Sequence, residues 1–334
     1  MSNIFNPNII FLLYFWYYNN KKEIIVKNRD KSPHIPVLLN EVLASFHNTK
    51  DGTFIDCTLG YAGHSFEILK KYENLSLIGI DRDDEALNFS KKRLGPFKDR
   101  VQLLKGSFSN RLKDIDFNTV TALLADFGVS SLQLDKEDRG FRFDSKLLDM
   151  RMDQSNPFSA KDVVNSYPQD KLEKIIREYG EVKEARKVAQ KIVQYRTNKA
   201  IESNIELADI VSSVIYNKGK IHPATLVFQA IRIEVNQELE EITSLLDILE
   251  EKRPKGAIIS LITFHSLEDR LIKQRFRKWA KSCICPPETM RCMCGNNNNL
   301  GKELYRKPII ATKDEIKVNP RSRSAKLRVF KFKD

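Results

Sequence analysis

The chain has 334 residues, of which 41% are hydrophobic and 30% charged, and it carries a formal net charge of +12. That describes a soluble globular protein of one large domain or two smaller ones, and the five cysteines exclude a secreted disulfide scaffold. The positive balance points to a polyanionic partner, most simply nucleic acid, and argues against a small-molecule acceptor.

The first element is an apolar run of ten, Ile9 to Tyr18, too short to span a bilayer. A Lys/Asn-rich stretch follows from Asn19 to Lys31, and Glu23 and Asp30 are its only acids. Residues 1–32 read as a targeting leader, to a plastid or mitochondrion, removed to leave a mature form with no membrane segment. The alternative is a disordered extension on a cytoplasmic protein.

The next apolar run, Phe54-Ile55, ends in Asp56 and leads into Cys57–Ser65, a small-residue loop containing Gly60 and Gly63. An amphipathic segment follows, so the order is strand, tight loop, helix. Such a loop lets a ligand approach the backbone closely. A second strand, Leu77–Ile80, ends in Asp81, an acid about 20 residues past the loop, where a carboxylate can accept both hydroxyls of a ribose. The Gly-x-x-Gly spacing and the acid heading the loop suit a cation better than a pyrophosphate. S-adenosylmethionine (SAM), with its sulfonium and amino group, is therefore the first reading. A dinucleotide and a purely structural turn stay open.

A third strand at Val101–Leu104 and a fourth at Thr121–Ala125, ending in Asp126, complete a parallel sheet with its ligand at the strands' C-terminal ends. Alternation then stops. From Asp170 to Tyr216 the apolar spacing is helical, with stripes such as Leu172, Ile175, Ile176 and Leu207, Ile210, Val211. Strand pattern resumes at Gly256–Ile262 and closes with Ala325–Phe330; Asn296–Asn299 is a loop. Late in the chain, Cys283 and Cys285 face Cys292 and Cys294 as two C-x-C pairs with six residues between them. Four thiolates so close can hold structural zinc; reduced thiols and a redox-sensitive disulfide are the other readings.

Seven strings stand in order: Asp126–Asp135 (DFGVSSLQLD), Arg139–Phe143 (RGFRF), Leu148–Asp153 (LDMRMD), His222–Thr225 (HPAT), Phe228–Ala230 (FQA), Phe264–Asp269 (FHSLED) and Asn319–Ser324 (NPRSRS). Together they closely resemble the RsmH (MraW) family, SAM-dependent methyltransferases acting on N4 of a cytidine in small-subunit ribosomal RNA. The resemblance covers roughly residues 33–333. It implies a class I, Rossmann-like α/β methyltransferase sheet at 33–135 and 223–334, interrupted by an all-helical insertion at 136–222 for RNA recognition. By the same resemblance the SAM contacts fall on Ala62, Gly63, His64, Asp81, Phe108, Asp126 and Gln133. Relatives tend to have a run of glycines where this chain has Tyr61 and Ala62. The change is tolerable if Ala62 has negative φ and Tyr61 points outward.

Methyl transfer to an amine is an in-line displacement, so positioning dominates, and an acceptor aimed at the amine hydrogen assists. Asp126 is the first candidate for that acceptor, with Ser130, Asp153 and His265 behind it. His265 reads equally as a satisfied structural histidine. Arg139, Arg142, Arg151, Arg232, Arg321 and Arg323 are the candidates for RNA phosphates, against the plain alternative of a solvated basic face. The partner implied is small-subunit rRNA or the assembling subunit. The competing functions are methylation of another nucleic acid, and an RNA-binding assembly factor with weakened SAM binding.

Overall fold

The central strands are short apolar runs buried on both faces, and β4 and β5 bury nearly every residue. The computed structural model describes residues 35–49, 51–130, 133–134, 136–215 and 222–334. The leader expected at 1–32 lies outside the described residues.

The first half alternates strand and helix: α1 (Leu39–Ser45), β1 (Gly52–Asp56), α2 (Gly63–Lys71), β2 (Leu75–Asp81), α3 (Asp84–Arg93), β3 (Val101–Lys105), α4 (Phe108–Arg111) and β4 (Val120–Asp126). Helices α5 (Ala160–Ser166), α6 (Gln169–Glu178), α7 (Ala185–Arg196), α8 (Asn204–Ser212), α9 (Thr225–Asn236) and α10 (Glu238–Lys252) follow. The chain ends with β5 (Ile258–Thr263), α11 (Ser266–Ala280), β6 (Gly301–Glu303), β7 (Ile309–Ile310), α12 (Lys313–Val318) and β8 (Lys326–Phe332).

The strands order as β3-β2-β1-β4-β5-β8-β6, with β7 pairing β8. Strands β1 to β5 run parallel, and β8 lies antiparallel against β5. This is the class I methyltransferase sheet that the sequence led us to expect. The order reverses between β1 and β4, which opens a crevice beyond their C-terminal ends. Alternate residues serve opposite faces, as the period of a strand requires. Ile55, Leu123, Ala125, Ile259 and Leu261 join the core beneath α10 and α11, while Phe54, Ala122, Leu124, Ile258 and Ile262 join the core beneath α1 and α2.

The helical insertion has a core of its own, built from the stripes of α5 to α9. Its boundary differs from the expected 136–222. Ala224, Val227, Phe228, Ile231 and Val235 pack into the helical core, so α9 belongs to the insertion and the chain returns to the sheet only at α10. The apolar face of α9 decides where that helix is buried. One tie runs from the insertion to the start of α11, and a second closes within the insertion itself. Glu181 accepts from the Ser266 hydroxyl at 2.8 Å and pairs with Arg270 at 2.9 Å. Buried Asn236 accepts from the Met152 amide at 2.8 Å and donates to the Met150 carbonyl at 2.8 Å.

Candidate active site

Register brings three carboxylates to the switch point. Asp56 ends β1 opposite Gly79 of β2 and Leu124 of β4. Asp81 and Asp126 therefore stand two residues further along, one on each side of β1. Asp56 accepts from Ser65 Oγ at 2.5 Å and the Thr58 amide at 3.1 Å. Asp81 accepts from the amides of Gly60 at 2.7 Å and Asp83 at 2.9 Å. The Asp126 amide donates to Thr58 Oγ1 at 2.6 Å, while its carboxylate Oδ1 is buried with no hydrogen-bond partner. Among the described residues, no lysine or arginine ion-pairs with any of the three.

The electrostatic consequence is a proton affinity raised across the trio. Burial, above all, lifts Asp56 to about 6, and the charge of Asp81 adds to it. Burial likewise lifts Asp81 to about 6 against the pull of the backbone amides. Asp126 is pushed well above the carboxylate range by burial, then by Asp56 and Glu268. His64 is buried at the start of α2; its Nε2 donates to the Val37 carbonyl at 2.8 Å, and its Nδ1 lies 3.9 Å from Asp126 Oδ2.

The loop between β1 and α2 departs from expectation at three residues. Ala62 has φ +55°, the left-handed region, not the negative φ assumed for it. Tyr61 does not point outward: it is buried, with its ring edge-on to Phe89 of α3 at 5.1 Å. Gly63 is demanded by packing as much as by any ligand, since a Cβ there would meet Pro36 Cγ at 2.6 Å.

Other candidates are placed as follows. Phe108, the first residue of α4, is 8% exposed, with its ring 6.1 Å from that of Phe127. Gln133 turns to the protein: its Nε2 donates to Asp83 at 3.1 Å and its Oε1 accepts from the Ser130 amide at 3.0 Å. Ser130 Oγ in turn accepts from the Gln133 amide at 3.2 Å. Asp153 accepts from the amide and hydroxyl of Ser155 and so caps its own turn. His265 precedes α11, its Nε2 3.1 Å from the fully buried Glu268. Glu238 completes a buried group with these two, and it holds Arg232 through two bonds of 2.8 and 2.9 Å. That network was not foreseen; its signal was the spacing of Arg232 and Glu238 across a helix junction.

The arginines divide. Arg139 is 3% exposed and pairs with Asp83 at 2.8 Å, so it is an internal strut and not a surface cation. Arg232 is spent on Glu238. Arg151 forks onto Asp149 and two loop carbonyls. In each of these three a carboxylate within the fold takes part of the guanidinium, although the buried Nε of Arg139 keeps no hydrogen-bond partner. Arg142 is exposed and forks onto exposed Asp144. Arg321 and Arg323 are exposed on a 3₁₀ turn, Pro320–Ser324. Asn319, at the head of that turn, donates to the Ile35 carbonyl at 3.1 Å. The same short segment carries Pro36 against Gly63 and Val37 against His64, so the turn is linked to the carboxylate loop. The four late cysteines converge on one exposed loop.

The MraW methylase family profile matches residues 31–333. Among curated relatives, one from Sulfurovum is 62% identical over 303 residues, spanning 91% of this chain and 99% of that protein. One from Nitratiruptor is 54% identical over 304 residues, again spanning 91% and 99%. One from Wolinella succinogenes is 54% identical over 303 residues with the same shares. All three are named ribosomal RNA small subunit methyltransferase H. These sources overturn the organelle reading of the leader, because they are bacteria, which have no plastid or mitochondrion. Among the described residues no helix is long and apolar enough to cross a membrane.

Proposed function

The chain belongs to the MraW methylase family, and we propose that it transfers the methyl group of SAM to the exocyclic N4 of a cytidine in small-subunit rRNA. One observation carries the cofactor reading: three carboxylates, Asp56 buried and Asp81 and Asp126 partly so, end neighbouring strands at the switch point, and among the described residues no lysine or arginine pairs with them. A ligand bearing positive charge relieves that repulsion, whereas a pyrophosphate aggravates it. SAM fits, because it is cationic and its ribose suits a carboxylate at the end of β2.

Asp81 would hold the ribose hydroxyls, Asp56 and Asp126 would offset the positive charge, and the exposed edge of Phe108 would meet the adenine. Bound there, SAM supplies a methyl group activated by its sulfonium. Asp126 does the protein's part of the chemistry. Its unpartnered Oδ1 accepts a hydrogen bond from the target amine, and its raised proton affinity suits it to take the proton that the methylated nitrogen sheds. His64 steadies the other oxygen. The acceptor base must leave its stack to reach such a crevice, which is easiest in single-stranded RNA. Arg321 and Arg323, linked to the loop through residues 35–37, and Arg142 on the insertion would hold flanking phosphates. Relatives named for small-subunit rRNA supply the acceptor class, either free rRNA or the assembling subunit.

The test is transfer of labelled methyl groups from SAM to small subunits purified from cells lacking the modification, followed by nucleoside analysis. N4-methylcytidine is the expected product. Label on C5 of cytosine, or none at all, would overturn the assignment.

A further inference from the structure

Between the end of α11 at Ala280 and the start of β6 at Gly301 there is neither helix nor strand, and none of residues 281–300 is buried. Apart from Leu300 at its end, which packs partly against the sheet core, so long a stretch without secondary structure has little apolar burial to offset the entropy of ordering it. Its base is pinned by the Asn298 amide on the Ser282 carbonyl at 2.9 Å and the Leu300 amide on the Trp279 carbonyl at 2.7 Å. Between those pins, four sulfur atoms lie within 4.8 Å of one another.

We infer that Cys283, Cys285, Cys292 and Cys294 form a tetrahedral zinc site that clasps this loop. Tetrahedral zinc–thiolate bonds of about 2.3 Å place neighbouring sulfurs about 3.8 Å apart. Here Cys283 and Cys292 are 3.6 Å apart, Cys292 and Cys294 3.6 Å, and Cys283 and Cys294 3.8 Å. The donor set is all sulfur, which selects zinc over the hard cations magnesium and calcium. Backbone amides also turn toward the cluster: Ile284 donates to Cys294 Sγ at 3.3 Å, and Met293 donates to Cys285 Sγ at 3.3 Å. Such amide donors suit a thiolate ligand. Binding exchanges the remaining thiol protons for the metal and releases them to solvent. In a loop with no core, the ion takes the structural place that buried side chains hold elsewhere. The sheet, with its own two cores, folds without it.

The full chain, purified reduced and without chelator, should carry about one zinc per molecule by elemental analysis. Stripped and refilled with cobalt, it should show the intense thiolate-to-metal absorption of a tetrahedral four-sulfur site, and the double variant Cys292→Ser/Cys294→Ser should not. Limited trypsinolysis after the exposed Arg291 should quicken at least tenfold on metal removal, while the near-ultraviolet signal of buried Trp279 persists. The wild-type cobalt titration needs no variant to fold. Four titratable thiols with no cobalt absorption in the reduced chain would overturn the site, and iron in place of zinc would overturn the metal's identity.

Discussion

Proton release should be coupled to cofactor binding, because burial holds Asp56 and Asp81 both near 6, with the charge of Asp81 adding at Asp56 and that of Asp83 adding at Asp81. At pH 6 each is half protonated, and a bound cation must ionise both. Binding should then release about half a proton from each, about one from this pair, and the pair should release close to none at pH 8, where any release left over belongs to Asp126. The same linkage makes SAM affinity about fourfold weaker at pH 6 than at pH 8, and about 100-fold weaker at pH 5. Titration calorimetry in buffers of different ionisation enthalpy measures the proton count directly. Asp81→Asn should bring the release at pH 6 down to about half a proton and weaken binding, since charged hydrogen bonds to the ribose contribute about 1.5–3 kcal/mol each. The ligand-free protein gives a second reading with its own sign. Both carboxylates are raised in the fold, so the stability they contribute is complete below the ordinary value of 3.8 and is lost as pH rises through about 6. Each shift is worth about 3 kcal/mol. SAM affinity that does not change between pH 5 and pH 8, with no proton released, would refute the convergence of these carboxylates on a cation.

Asp126→Asn should leave SAM affinity within a few-fold and lower methyl transfer by about 100-fold or more, with loss of the rising limb of the pH–rate profile; equal losses in binding and turnover would reduce Asp126 to a cofactor contact. Arg139→Ala should destabilise the fold by about 3–5 kcal/mol in urea melts, because Asp83 is left buried and unpaired, yet should not change the salt dependence of RNA binding. The double variant Arg321→Ala/Arg323→Ala should do the reverse, flattening the log–log salt slope by about 1.5–2 at unchanged stability; an unchanged slope would move the RNA footprint to the insertion. Ala62→Gly should change stability in urea melts by less than about 1 kcal/mol, because relief of the left-handed penalty is offset by the chain entropy of glycine and the loss of a buried methyl, and a loss of more than about 2 kcal/mol would contradict the φ of this turn.

Local pattern carried much of this protein. Apolar runs ending in Asp56, Asp81 and Asp126 announced three parallel strands with acids at their ligand ends, because a strand buried on both faces must be apolar until it leaves the sheet. The stripes of α6 and α8 likewise announced helices with a buried face. What the sequence left undecided depends on partners far along the chain. Arg139 reads as a surface cation until the fold sets Asp83 beside it, and only the fold brings Gln133 to that same carboxylate. The left-handed turn at Ala62 and the inward Tyr61 follow from how α2 and α3 pack, not from either residue's own preference. The extent of the insertion was settled by which core α9 could enter. Propensity and periodicity are properties of neighbours in the chain, whereas ion pairing, register and burial are properties of neighbours in space, and only the folded structure names those.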